Sequence, residues 1–206
     1  MTITFWEIAL YTGGLLALFL TPGPVWVALM ARSLHGGFAG AWPLAVGVVL
    51  GDMLWSLLAV LGVTWIAAKL AVFMTVLRWV ACIMFLAMGA RLIWTAARDP
   101  GENTRLTRPG MWAGFTAGLI SILGNPKAIL FYMGVLPGFF DLTQLRAPDV
   151  AVIVGISALV PLMGNLILGL AIHHMRARIL TPARITRLNK IAGGLLIVVG
   201  VLIAVA

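Results

Sequence analysis

Asp52 and Lys127 are the charged side chains that fall deep inside apolar stretches of this sequence, and they offer the chemistry of charge held away from water. An aspartate at the centre of a membrane helix costs about 2.5–3.5 kcal/mol on insertion scales, so it is expected to face a cation, a wet cavity or a moving proton. A carboxyl group poised between its protonation states can carry a proton through a cycle, and a nearby cation tunes that balance. From sequence two readings stay open: a buried structural pair with Lys127, or two groups that meet a charged substrate. Around them stand residues that interrupt helices. Proline removes one N–H and pushes aside the carbonyl four residues earlier. Thr21-Pro22-Gly23-Pro24 should therefore free the carbonyls of Leu18 and Leu20, and Asn125-Pro126-Lys127 that of Ile122. In lipid, such bare carbonyls are tolerated only inside protein or along a water-filled cavity. The expected substrate site is accordingly Thr21, Pro22, Gly23, Pro24, Asp52, Asn125, Pro126, Lys127 and Asn165, with Asp52 as the expected proton carrier.

Other chemistries find little footing. His35, His173 and His174 lie at the basic ends of apolar runs, away from mid-depth, which leaves an intramembrane enzyme without a base. Adjacent helical residues do not face one another, so His173 and His174 make a poor metal pair and no metal site is expected. Cys82 is the one cysteine, whereas a thiol relay takes two sulfurs. No glycine-rich phosphate loop is present, and no cofactor is expected. A passive channel or a non-transporting membrane partner remains the alternative to a transporter.

The elements that position these residues follow from composition. Of 206 residues, 62% are hydrophobic and only 10% charged, against about 25% charged in soluble domains. So few charges cannot cover a surface in water, which excludes a soluble enzyme. A membrane helix needs about 20 mainly apolar residues, and apolar runs occupy about 5–31, 40–67, 77–97, 111–139, 150–172 and 189–206. The first run lacks a basic leader and is too long for a signal peptide. The expected fold is an all-α membrane protein with six transmembrane helices. The net charge of +8 does not point to nucleic acid, because the basic residues belong to loops between apolar runs. Ten of them, from Arg32 through Arg91, Arg98, Arg105 and Arg108 to the stretch Arg176–Lys190, fall on one side, and Lys69, Arg78 and Arg146 on the other. Cytoplasmic loops collect Lys and Arg, so both termini are expected in the periplasm.

The interruptions recur. Pro22 matches Pro126, and Gly51-Asp52 matches Gly164-Asn165, at offsets of 104 and 113 residues. A repeat unit of three spans is odd, so its second copy must sit upside down. Two inverted three-helix repeats with interrupted helices, about 1–97 and 111–206 around a hydrophilic linker at about 98–110, recur in secondary transporters. Gly47-x-x-x-Gly51, Gly110-x-x-x-Gly114-x-x-x-Gly118 and Gly134-x-x-x-Gly138 allow close helix approach, chiefly within the chain, with a homodimer interface as the lesser option.

Thr21-Pro22-Gly23-Pro24 with Gly36-Gly37-x-x-Gly40, then Gly47-x-x-x-Gly51-Asp52 and Gly62, resembles the N-terminal half of the LysE/RhtB amino-acid exporters. Gly114-Phe115, Asn125-Pro126-Lys127, Phe131, Pro137 and Phe139-Phe140 resemble that family's fourth helix, and Gly193 and Gly200 its C-terminal glycines. The resemblance implies a secondary exporter of an amino acid or close derivative in the bacterial inner membrane, driven by the proton gradient. Its expected partners are a small zwitterionic substrate, protons and membrane lipid. With two intramembrane charges, little remains to select a cationic side chain, which favours a neutral or apolar amino acid.

Overall fold

The computed structural model describes residues 1–66 and 110–179, with isolated helical positions within 79–94 and 183–201. Apart from those positions, expected spans 77–97 and 189–206 lie outside the described residues, as does the linker at 98–110 apart from Gly110. What is described is helical, with no strand among the described residues.

Helix α1 (Phe5–Leu20) starts at a reciprocal cap. The Glu7 backbone N–H donates to the Thr4 hydroxyl at 3.3 Å, and the Thr4 N–H donates to the Glu7 carboxylate at 2.6 Å. Two orphan donors of the first turn are thereby satisfied. The helix ends at Thr21, whose backbone is extended (φ −75°, ψ 119°), because the ring of Pro22 disfavours helical geometry in the residue before it. After Gly23, Pro24 opens α2 (Pro24–Ile66), at the position where a missing N–H costs nothing. The expected first span is thus two pieces. At 16 residues, α1 is about 24 Å long, short of the hydrocarbon thickness on its own.

Helix α2 bends at Gly37, where φ is 63° and ψ −157°. A side chain would be strained there, and glycine is not. The expected loop at Arg32–Gly37 therefore shrinks to one residue. Arg32, expected as a charge in a cytoplasmic loop, is buried. Its Nε donates to the Gly40 carbonyl at 2.8 Å and an Nη to the Gly110 carbonyl at 3.2 Å. A guanidinium carries five fixed donors, so it can brace a bend and a neighbouring segment together.

Helix α3 (Met111–Leu123) and the short α4 (Pro126–Leu130) meet at a 51° bend. A π turn at Phe131–Val135 and a 3-10 turn at Leu136–Gly138 follow. Helix α5 (Ala147–Ile179) is continuous through Pro161. At its start, Asp149 accepts hydrogen bonds from the Arg146 N–H at 3.0 Å, the Thr2 N–H at 2.9 Å and the Thr2 hydroxyl at 2.8 Å, which ties the N-terminus to this end of the bundle.

Helix α2 packs mainly against α3 and α5, and α1 against α5. Glycine makes the α2–α3 contact possible: a Cβ on Gly47 would overlap the Phe115 carbonyl, and one on Gly118 the Leu44 carbonyl. Of the small-residue stripes, those at 47–51 and 114–118 are thus used inside the chain. Gly138 has open space where its Cβ would stand. Ile120, Leu159, Met163 and Ile167 are exposed along the outside. Apolar surface of that kind is what a lipid-facing helix presents, and α2, α5 and the bent α3–α4 pair are each long and apolar enough to cross a bilayer.

Candidate functional site

A partly open cavity lies between the broken helices and their neighbours. Asp52 of α2, Asn125 and Lys127 at the α3–α4 bend, and Asn165 of α5 form its polar side. Leu15, Leu18 and Phe19 of α1, with Val25, Trp26 and Val48 of α2 and Ile122 of α3, form the apolar side. Its volume is about 40 Å³. A buried water needs about 10–15 Å³ on this measure, so the cavity holds a few waters.

The bends build this arrangement in different ways. At the second, the Asn125 side-chain oxygen accepts from the Lys127 backbone N–H at 3.2 Å and caps α4, with Pro126 in the first helical position. At the first, the extended Thr21 and the ring of Pro22 leave carbonyls without helical partners. The ammonium of Lys127 supplies them: Nζ donates to the Leu18 carbonyl at 2.6 Å and also to the Thr21 carbonyl. Gly23 lies beside it, where a Cβ would make only an ordinary contact 3.7 Å from Nζ. The carbonyl expected to be freed by Pro22 is therefore met by a cation from the other half of the chain.

Lys127 and Asp52 are close enough to feel each other's charge. No contact within 4.0 Å joins them among the described residues. Asp52 is 2% exposed, within a bundle whose other buried groups are mostly apolar. The Tyr132 hydroxyl lies beside Asp52 and Ser157 but closes no hydrogen bond. The Asn165 side-chain oxygen is buried and also unpartnered. The Tyr11 hydroxyl pairs with the Ser157 hydroxyl at 2.6 Å, and Ser157 donates to the Ile153 carbonyl at 2.7 Å, so Tyr11 is the donor in their pair. Rings of Phe131, Phe139 and Phe140 surround Tyr11 with centroids 5.2–6.0 Å away.

Of the residues expected from sequence, Asp52, Asn125, Lys127 and Asn165 converge on the cavity. Thr21, Pro22, Gly23, Pro24 and Pro126 do not line it. They shape the two breaks, with the Thr21 carbonyl as a ligand for Lys127. Sequence reasoning passed over Phe19, Trp26 and Tyr132. Tyrosines were poor signals, since a ring with a polar tip is expected at a membrane interface. Yet both tyrosines of the chain, Tyr11 and Tyr132, are fully buried.

An all-helical bundle with lipid-facing apolar helices and a polar cavity at interrupted segments defines a multi-pass membrane protein. The chain belongs to the family described as LysE type translocator, which it matches over residues 16–206. It is 28% identical to an uncharacterized membrane protein of Synechocystis over 209 aligned residues, covering 100% of this chain and 99% of that one. It is 30% identical to the leucine efflux protein of Salmonella typhimurium over 141 residues, 68% of this chain and 65% of the relative. No solved structure matches the chain significantly.

Proposed function

We propose that this protein exports an apolar amino acid across the bacterial inner membrane in exchange for protons. The observation that carries this reading is Asp52, a buried carboxyl group without an ion-pair partner among the described residues, facing a cavity that Asn125 and Lys127 of the second break also line. The likeness to a leucine efflux protein supports an amino acid as substrate.

Each end of a zwitterion has a place. An ionised Asp52 accepts the substrate ammonium. Lys127 has three N–H donors and spends two on the Leu18 and Thr21 carbonyls, leaving one for the substrate carboxylate. The unpartnered Asn165 oxygen is a second acceptor for the ammonium. The apolar wall takes the side chain. A proton arriving from the periplasm neutralises Asp52 and removes its hold on the ammonium, so the amino acid leaves. Returned toward the cytoplasm, Asp52 gives up that proton and can bind again. Proton entry and substrate exit are thus alternative occupancies of one carboxylate.

The reading includes a six-span chain of two inverted repeats, with the expected boundaries, and both termini in the periplasm. The close fit of Gly47 and Gly118 inside the bundle leaves a homodimer to be made through other surfaces. A periplasmic phosphatase fused after Ala206 should be active and a cytoplasmic fluorophore dark; the reverse pattern overturns that topology. Cells fed leucine-containing dipeptides should hold less free leucine when they express the chain, and an uncoupler should abolish the difference. Asp52→Asn keeps the shape and removes the titration, so export should fall at least about tenfold, or about 1.4 kcal/mol of stabilisation, with membrane abundance retained. Undiminished export by that variant defeats proton carriage by Asp52.

A further inference from the structure

With room for a few waters, the cavity must widen before a whole amino acid with a large side chain enters, and its walls are not equally able to yield. Leu15 and Val48 are fully buried in the core, while Phe19 and Trp26 are only half-buried at the cavity's edge. Trp26 is tethered, because its indole N–H donates to the Phe19 carbonyl at 2.7 Å. The Phe19 ring has no polar tether. It lies against Trp26 with centroids 5.9 Å apart and fills the space over Gly164, where a Cβ would stand 2.9–3.0 Å from three ring carbons. The ring therefore rests between a tethered indole and a backbone position where a Cβ would have to displace it.

We infer that Phe19 is the size-determining wall of the substrate site, set by Gly164 below and Trp26 beside it, so that aliphatic amino acids are accepted and aromatic ones refused. The inference rests on the exporter reading and adds the side-chain class. An aliphatic side chain needs the ring to tilt, whereas an aromatic side chain needs the volume the ring itself occupies. Even one methylene in an apolar pocket is worth about 10–200-fold in discrimination, so a whole ring removed or displaced should be read easily in export ratios.

The test uses cells expressing the full chain and fed dipeptides that release alanine, leucine or phenylalanine, with the amino acids exported measured as ratios. Phe19→Ala should raise phenylalanine export relative to leucine about tenfold. Gly164→Ala acts in the opposite sense: its Cβ drives the ring into the cavity, and leucine export should fall relative to alanine. Unchanged ratios in a Phe19→Ala protein that still exports leucine overturn the inference and leave the exporter reading standing. If Phe19→Ala does not accumulate in the membrane, the leucine-to-alanine ratio of Gly164→Ala decides, and no change overturns it. A wild-type chain that exports none of the three removes the exporter reading, and the inference with it.

Discussion

The two helix breaks look alike in sequence and are held open by different means. At Gly124–Asn125 the break is capped mainly by its own residues: the Asn125 side chain caps the following helix, Pro126 takes a position that needs no N–H, and the Ile122 carbonyl accepts from the Asn125 N–H at 3.1 Å and from the Trp55 indole at 3.3 Å. At Thr21–Gly23 no side chain of the same segment reaches the bare carbonyls of Leu18 and Thr21. They depend on Lys127, more than a hundred residues away. Each break thus takes a donor from the other half of the chain, a neutral indole at the second and a cation at the first. Matching prolines in two repeats need not mean matching energetics. The first break is the one whose geometry a substrate competing for Lys127 can alter.

Substitutions that separate the two breaks make this difference measurable. Lys127→Met should have the largest effect, because it strips two carbonyls of their donor at a cost of about 1–3 kcal/mol for each buried group left unpaired. Thermal unfolding in detergent should show the loss, and leucine export should vanish with it. A Lys127→Met protein as stable as wild type would mean that the first break does not depend on this ammonium. Pro22→Ala comes next. It restores an N–H able to bond the Leu18 carbonyl, so α1 can continue and Lys127 loses a ligand. Export should drop severalfold while stability changes by no more than about 1 kcal/mol, and unchanged export would show that the break persists without its proline.

The second break should be more forgiving. Asn125→Ala removes one capping bond and should cost about 1 kcal/mol, read as a modest fall in melting temperature. Smallest is Pro126→Ala: with no N–H needed at that position, it should cost about 0.4–1 kcal/mol through the unfolded chain alone, with export retained. If Pro126→Ala proved as damaging as Pro22→Ala, the two breaks would be equivalent after all.

Much of the site is legible in the sequence for a physical reason. A carboxylate, a lysine and two asparagines inside apolar runs are expensive in lipid, so their presence announces a cavity, and Asp52, Asn125, Lys127 and Asn165 do share one. The breaks are legible too, since proline acts on its own backbone and its immediate neighbour. Less legible is the bend at Gly37: an apparent six-residue loop is helical almost throughout, because one glycine with positive φ suffices to kink the chain. Arg32 looked like a loop charge and is instead buried, since two carbonyls within its reach reward a folded-back guanidinium more than solvent does.

Local chemistry along the chain was therefore enough to determine that the protein lives in a membrane, that its helices are interrupted at Pro22 and Pro126, and which polar residues cannot face lipid. Each of these depends on the residue itself and its near neighbours: hydropathy over a span, a missing N–H, an uncompensated charge. Tertiary structure alone decided which donor meets which carbonyl. The ammonium of Lys127 turns to the Leu18 and Thr21 carbonyls and away from direct contact with Asp52. Phe19 settles over Gly164, and Tyr132 is drawn into the core beside Asp52. Such pairings depend on distances between segments far apart in sequence, and no periodicity or propensity encodes a distance until the helices have packed.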